Sequence, residues 1–175
     1  GGDNVTWSEK SDIRQCGSIT INGGIVRTEA LTRKETLGSA GIGSYQFGYG
    51  GSVTINGGTV MANASHDAIC TGRGGSITIN GGDITARGGT GKYGHGNGIG
   101  SFGGADITIN SGNIEAYSDR DGCGIGFGTS TTVKITGGTI KAVSNAIAAI
   151  GSPKYTAGSV SITGGKVTAI GKGDA

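Results

Sequence analysis

The sequence has little of the material from which a compact globular core is built. Among its 175 residues there is one proline, aromatic residues make up 5%, and hydrophobic residues make up 34%, which is below the usual share for a globular domain. No apolar run approaches the roughly twenty residues that span a membrane as a helix. The composition therefore argues against an ordinary globular core and against membrane insertion.

An excess of charge of one sign is also lacking. The formal net charge is +2 and positive and negative residues alternate, so no run of Lys and Arg could follow a phosphate backbone, and we expect no nucleic-acid partner. The three cysteines, Cys16, Cys70 and Cys123, do not have the spacing of a zinc site. We expect them to be small, reduced and inert residues, and we expect no cofactor.

What is present in quantity is glycine, with 40 residues. Without the collagen period, this leaves either a flexible linker or a repeat fold with many tight turns. The regular recurrence of Ile and Val at every second position favours the repeat fold. The motif G-S-I-T-I-N-G-G recurs with small changes at intervals of 24 to 34 residues, so the strands are constant while the loops vary, as in a solenoid. Its first apolar residue falls at Ile19, Val53, Ile77, Ile107, Val133 and Val160.

Two more short strands follow each motif. The second strand carries apolar or small residues two positions apart, which predicts one buried face. Its pairs are Val26 with Thr28, Val60 with Ala62, Ile84 with Ala86, Ile114 with Ala116, Ile140 with Ala142, and Val167 with Ala169. The third strand resembles A-G-I-G and is centred on Ile42, Ile69, Ile99, Ile125 and Ile150.

This pattern predicts an all-β fold, a parallel β-solenoid (β-helix) of about six coils with roughly three short strands each. One coil cannot offset its ordering entropy, but coils stacked about 4.8 Å apart complete each other's hydrogen bonds. The Gly-Gly pair predicts a turn with positive φ, and the small residues of the third strand predict a thin interior. We assign residues 17–175 to one solenoid domain, expected to be a slice of a longer array, and residues 1–16 to a partial preceding coil or an N-terminal cover.

The repeat G-S-I-T-I-N-G-G-x-V-x-A followed by A-G-I-G resembles the Gly-rich arrays of large surface-exposed and secreted bacterial proteins, particularly of Gram-positive anaerobes. The resemblance covers the chain from Cys16 onward and implies an extracellular or cell-surface adhesin stalk or carbohydrate-associated module. More remotely, the architecture resembles the parallel β-helices of pectate lyases. Their carboxylate cluster and their Arg or Lys base have no recognisable match in this sequence.

The first functional hypothesis is therefore a non-enzymatic structural or adhesive module of an extracellular bacterial surface protein or filament. Its partners would be a glycan or another host or cell-surface ligand, and further repeats or chains joined end to end. The alternative is a carbohydrate-binding module with an exposed aromatic edge. A polysaccharide lyase-like enzyme would require carboxylates that converge in a groove, and an ice-binding protein would require a flat threonine array.

Aromatic side chains gather near one edge of the predicted rod. Exposed rings offer apolar planes that stack on sugar faces, although the same rings could pack on one another and shield the loops. The candidate residues for ligand binding at this edge are Tyr45, Phe47, Tyr49, Tyr93, Phe102, Phe127 and Tyr155.

The outward positions of the first strand form a second candidate surface. Ser18, Thr20 and Asn22 begin columns of Ser, Thr and Asn that could face ice or glycan hydroxyls. The preference of Thr for exposed strands and of Asn for positions before Gly turns explains the same pattern. Lys134 interrupts the array, which weighs against an ice-binding plane.

Two charged pairs complete the candidate residues. Asp119 and Asp121 resemble the start of a calcium loop, but Arg120 between them and the missing further ligands favour a charged turn, so we predict no metal site. His66 and Asp67 are adjacent in the sequence. Since neighbours in a strand point to opposite faces, we expect no hydrogen-bonded dyad.

Overall fold

The computed structural model describes residues 15–31, 39–44, 48–91, 96–101, 103–126, 128–152 and 158–172. Seventeen parallel strands follow one another in a repeating order of three. The first strands of the coils are β1 (Ser18–Ile21), β4 (Ser52–Ile55), β7 (Gly75–Ile79), β10 (Ala105–Ile109), β13 (Thr131–Ile135) and β16 (Gly158–Ile162). The second strands are β2 (Ile25–Ala30), β5 (Thr59–Ala64), β8 (Asp83–Gly88), β11 (Asn113–Ser118), β14 (Thr139–Ser144) and β17 (Lys166–Gly171). The third strands are β3 (Ile42–Gly43), β6 (Ile69–Cys70), β9 (Ile99–Gly100), β12 (Ile125–Gly126) and β15 (Ile150–Gly151).

Strands of the same kind stack into three parallel sheets. The first and second sheets each have six strands, and the third has five in the described part of the chain. Five coils thus show three strands and the sixth shows two. This confirms the predicted all-β parallel β-solenoid, and the number of coils is close to the expected six. No helix among the described residues is long and apolar enough to cross a membrane.

In each sheet, the register stacks each inward residue on a residue of similar type at the equivalent position of the next coil. Ile77 pairs with Ile107 and Ile107 with Val133 in the first sheet, while Ile114 pairs with Ile140 in the second. Because side chains alternate along a strand, every second residue enters the interior, and β7 alternates between buried and half-buried residues. The core is therefore a set of Ile, Val and Ala ladders that run along the solenoid.

The turn between the first and second strands has the predicted conformation. Its second glycine has a positive φ in all six coils, for example 101° at Gly82. A Cβ on Gly82 would lie 2.7 Å from the carbonyl oxygen of Gly58 in the preceding coil, so both the dihedral angle and the stacking require glycine there.

The thin interior at the third strand is also confirmed. A Cβ on Gly98 would lie 2.6 Å from the carbonyl oxygen of Gly124, and a Cβ on Gly124 would lie 2.7 Å from the backbone nitrogen of Val143. The backbones approach so closely at this corner that only very small residues fit. This explains the Ala and Gly residues around each third-strand isoleucine.

The predicted outward columns of the first sheet are exposed or half-exposed. The asparagine side chains form a hydrogen-bonded ladder in which Asn56 donates to Asn22, Asn80 to Asn56 and Asn110 to Asn80, each at 2.8 Å. Thr136 then donates to the Asn110 side chain at 3.0 Å. These amides bond to one another across coils, which supports a structural explanation of their recurrence.

Of the predicted N-terminal segment 1–16, residues 1–14 lie outside the described part of the chain. Gln15 forms a parallel bridge with Tyr49, which in turn bridges Arg73. The backbone nitrogen of Cys16 donates to the carbonyl oxygen of Tyr49 at 2.9 Å. The stacking of coils therefore extends at least to the residues that immediately precede β1.

Candidate functional site

Most of the predicted aromatic edge lies outside the described residues. This applies to Tyr45, Phe47, Tyr93, Phe102, Phe127 and Tyr155. Tyr49 is described and is 47% exposed, with its backbone fixed between Gln15 and Arg73 by the two bridges. One ring of the proposed edge is therefore available to a ligand, and the grouping of all seven stays a prediction.

The outer face of the second sheet carries a different and more varied set of side chains. Strand alternation directs the third and fifth residues of each six-residue strand away from the core. One outward column is Arg27, Met61, Thr85, Glu115, Lys141 and Thr168, and the neighbouring column is Glu29, Asn63, Arg87, Tyr117, Val143 and Ile170. We call the surface that these two columns form the second-sheet face.

A groove of about 620 Å³ lies on the second-sheet face across β2, β5 and β8. It is lined by Arg27, Glu29, Met61, Asn63, Thr85 and Arg87, together with Thr28 and Ala62. Met61 is 42% exposed, so the groove joins an apolar surface to guanidinium, carboxylate, amide and hydroxyl groups. Such a combination suits ligands that have both apolar faces and hydroxyl groups.

Tyr117 lies on β11, one coil beyond the groove. The Lys141 Nζ is 5.4 Å from the centroid of the Tyr117 ring and the Arg87 Cζ is 5.9 Å from it, both within cation–π range. The Tyr117 hydroxyl donates to the Glu115 Oε2 at 2.6 Å. The ring is thus held by the strands on both sides, since Arg87 belongs to β8 and Lys141 to β14.

Tyr117 was not among the predicted aromatic residues, because those residues fall in the sequence before and after the third strand of a coil and not within the second strand. The available signal was the alternation in β11, where Glu115, Ala116 and Tyr117 follow the inward Ile114. Alternation places Ala116 inside and Tyr117 outside. Its cationic neighbours could not be read directly, since Arg87 and Lys141 are 30 and 24 positions away in the sequence.

The Asp119 carboxylate forms an ion pair with Arg87. The Arg87 Nε donates to Asp119 Oδ2 at 2.6 Å and the Arg87 Nη2 donates to Oδ1 at 3.0 Å, and this bonding raises the pKa of the Arg87 guanidinium. A two-point fork of this kind fixes the guanidinium plane. The arrangement fits the charged-turn interpretation of Asp119 and Asp121, and the described residues contain no group of three or more His, Cys, Asp or Glu that could hold a metal ion.

The side chains of His66 and Asp67 do not point to opposite faces, although no hydrogen bond joins the His66 Nδ1 to Asp67. The His66 Nδ1 lies 3.2 Å from Asp67 Oδ2, and both side chains are buried. The reason is that these residues follow β5 in a bend, where the alternation of a strand does not apply. Asp67 Oδ1 accepts bonds from the Asn97 backbone nitrogen at 2.9 Å and from Asn97 Nδ2 at 2.7 Å.

This buried polar network continues into the next coil. The Cys123 backbone nitrogen donates to Asn97 Oδ1 at 2.9 Å, and the Gly89 backbone nitrogen donates to the carbonyl oxygen of His66 at 2.8 Å. Asp67, Asn97 and Cys123 therefore link three successive coils at the corner before the third strand. Because the side chains of this network are buried, it acts as a structural connection between coils.

Cys70 replaces the glycine of the third strand, as predicted, and pairs with Gly43. Its thiol is buried and donates to the carbonyl oxygen of Ser44 at 2.8 Å. Burial, reinforced by the negative charge of Asp67, raises the pKa of Cys70 well above its ordinary value, which disfavours the reactive thiolate. Cys123 is buried and Cys16 is half-buried, and none of these three described cysteines forms a disulfide bond.

Comparison with known proteins identifies the family. A model described as a beta helix repeat matches residues 53–69, 77–104, 107–126, 133–152 and 160–175. These segments make up more than half of the chain, which therefore belongs to this β-helix repeat family, and each segment begins at the first apolar residue of a first-sheet strand. No curated protein and no solved structure matches the chain. The relation to parallel β-helix proteins is thus confirmed, while the relation to bacterial surface arrays stays a prediction.

Proposed function

We propose that this β-helix repeat protein is a non-enzymatic structural and adhesive module of an extracellular bacterial surface protein or filament. The observation that carries the proposal is the continuous register of the ladders, in which each strand of a coil pairs with its equivalent in the next. Six first-sheet strands at about 4.8 Å per step separate the two end coils by roughly 24 Å. Such a stack extends a chain over a fixed distance and displays its outer faces along the way.

An adhesive role is supported by the division between the constant interior and the variable exterior. Interior positions repeat Ile, Val and Ala in register, whereas the second-sheet face changes chemistry from coil to coil. Variation at outward positions does not disturb the ladders, because outward side chains do not enter the interior. The fold can therefore present a specific surface without any change in its supporting structure.

Cell-surface display of the chain tests the adhesive role. The whole chain, anchored on a bacterium that does not otherwise adhere, should increase attachment to epithelial or polysaccharide-coated surfaces. A matched control strain should display a variant with Ile77→Asp, which introduces a charge into the fully buried ladder and should unfold the stack. Equal attachment of the two strains, at equal display levels, would contradict an adhesive role that depends on the fold.

A second candidate function is carbohydrate binding at the aromatic edge, which the exposed Tyr49 ring favours. A glycan array probed with the chain should show binding that is lost in Tyr49→Ala, Tyr45→Ala and Phe102→Ala. Tyr49→Phe serves as the control, because it keeps the ring and removes only the hydroxyl group. Binding that is unchanged in all of the alanine variants would exclude this edge as the sugar-binding surface.

A further inference from the structure

We infer that the groove on the second-sheet face, together with Tyr117, is a binding site for a neutral oligosaccharide that lies along the solenoid axis. The inference rests on the proposed adhesive function and gives it a location and a ligand class. The site differs from the predicted aromatic edge, since its side chains belong to the second strand of each coil, whereas the predicted aromatic residues come before or after the third strand in the sequence.

The geometry of the site favours an elongated ligand. Arg27, Met61 and Thr85 follow one another in register across β2, β5 and β8, and the groove of about 620 Å³ covers these three coils. Tyr117 occupies the fourth coil in the adjacent column. At about 4.8 Å per coil, the distance along the axis from Arg27 to Tyr117 is roughly 14 Å, which is enough for several linked sugar units.

The chemistry of the lining fits sugar hydroxyl groups. A hydroxyl group both donates and accepts hydrogen bonds. Arg27 and the Asn63 Nδ2 group can donate, and Glu29 can accept. Met61 supplies an exposed apolar surface, and the half-buried Tyr117 ring, with Arg87 and Lys141 beside it, adds an apolar edge at the end of the site. Polar groups that fix orientation beside apolar surface are the usual composition of a small-ligand site.

The charge balance indicates a neutral ligand. The positive charge of Arg87 is paired with Asp119 at 2.6 Å, and Arg27 shares its strand and its outer face with Glu29. These four groups have no net charge, so the groove has no excess of positive charge with which to attract a uronate or sulfated chain. Arg87 and Lys141 also flank the Tyr117 ring, and Glu115 accepts a hydrogen bond from the Tyr117 hydroxyl group.

Calorimetric titration of the whole chain provides the test. The probes are gluco-, manno- and xylo-hexasaccharides, with oligogalacturonate of the same length as the acidic comparison. We expect at least one neutral probe to bind with an affinity that changes little between low and high salt, because no net charge is neutralised. Asn63→Ala and Tyr117→Ala should each weaken binding about fivefold to tenfold or more.

Two controls keep the result interpretable. Tyr117→Phe keeps the ring and should retain most of the affinity, and Lys134→Ala changes an exposed residue of the first sheet and should have no effect. Circular dichroism spectra establish that each variant is folded. The inference is overturned if no neutral probe binds the folded chain, if oligogalacturonate binds more tightly in a salt-dependent manner, or if Asn63→Ala and Tyr117→Ala bind as well as the unaltered chain.

The same data separate this inference from the proposed function. A chain that promotes attachment of the displaying bacterium but binds no neutral probe would retain its adhesive function and overturn the groove as a glycan site. A chain that binds a neutral probe through Asn63 and Tyr117 but does not promote attachment would support the site and contradict the adhesive role.

Discussion

Replacing Ile107 by alanine should destabilise the protein much more than the same replacement at Ile19, although both residues belong to one ladder. Ile107 is 1% exposed and is held between Ile77 and Val133. Large-to-small substitutions of a buried isoleucine cost about 2 to 5 kcal/mol. Because the neighbouring strands are fixed by backbone hydrogen bonds and cannot close the cavity, we expect about 3 to 5 kcal/mol for Ile107→Ala.

Ile19 provides the matched comparison, since it has the same side chain and the same position in its strand. It is 37% exposed and pairs with Val53. Removing three methylene equivalents costs about 2.4 kcal/mol on full burial, and partial exposure reduces this to about 1 to 1.5 kcal/mol. The difference between the two variants should therefore be about 1.5 to 4 kcal/mol.

Urea denaturation followed by circular dichroism measures this difference. The two variants are compared at equal m-value, because a change in m would indicate that the coils no longer unfold together. If the end coils unfold first, hydrogen exchange at the amides of β10 gives the stability of the interior directly. If Ile107→Ala and Ile19→Ala lower the free energy of unfolding by amounts that agree within about 0.5 kcal/mol, the argument that stacking from both sides stabilises the interior coils is refuted.

Further predictions concern groups in the interior. Above the ordinary thiol pKa of about 8.5, the unfolded chain loses the Cys70 proton while the folded chain keeps it, so the free energy of unfolding should fall by up to about 1.4 kcal/mol per pH unit. Urea titrations from pH 7 to 10 should show a shallower fall for Cys70→Ala than for the unaltered chain. Parallel plots of the free energy of unfolding against pH for the two proteins would contradict this. Asn97→Ala removes a donor to Asp67 and the acceptor of the Cys123 backbone nitrogen, and should cost about 2 to 4 kcal/mol. Asn145→Ala changes an exposed residue and should cost less than about 0.5 kcal/mol in the same assay.

The fold was predictable because the repeated motif combines two independent signals. Alternation of Ile and Val at every second position defines the inward face of a strand, and the Gly-Gly pair defines the turn that follows it. Both are local features, and they recur often enough to set the register of the sheets. The inward position of Ile77, the positive φ of Gly82 and the tight packing around Gly98 all follow from this reasoning.

The candidate site was not predictable in the same way, because its contacts join different coils. Arg87 and Asp119 are 32 residues apart, and the length of the intervening loops is not set by the repeat. Tyr117 likewise acquires its cationic neighbours only through the register of β8, β11 and β14. The close approach of His66 to Asp67 was missed for a local reason, since strand alternation was applied to residues that lie in a bend.

The two outer faces of the solenoid differ in a way that the fold does not require. On the first sheet, outward positions repeat short Ser, Thr and Asn residues, and strand propensity with the asparagine ladder accounts for them. On the second sheet, one column changes from Arg27 to Met61, Thr85, Glu115 and Lys141. Both faces have the same stacking geometry, so stacking cannot explain why the second sheet departs from repetition much more than the first, in which Asp106 and Lys134 are the charged exceptions among the described residues. A ligand that contacts several coils at once would explain it, because each coil would then meet a different part of that ligand.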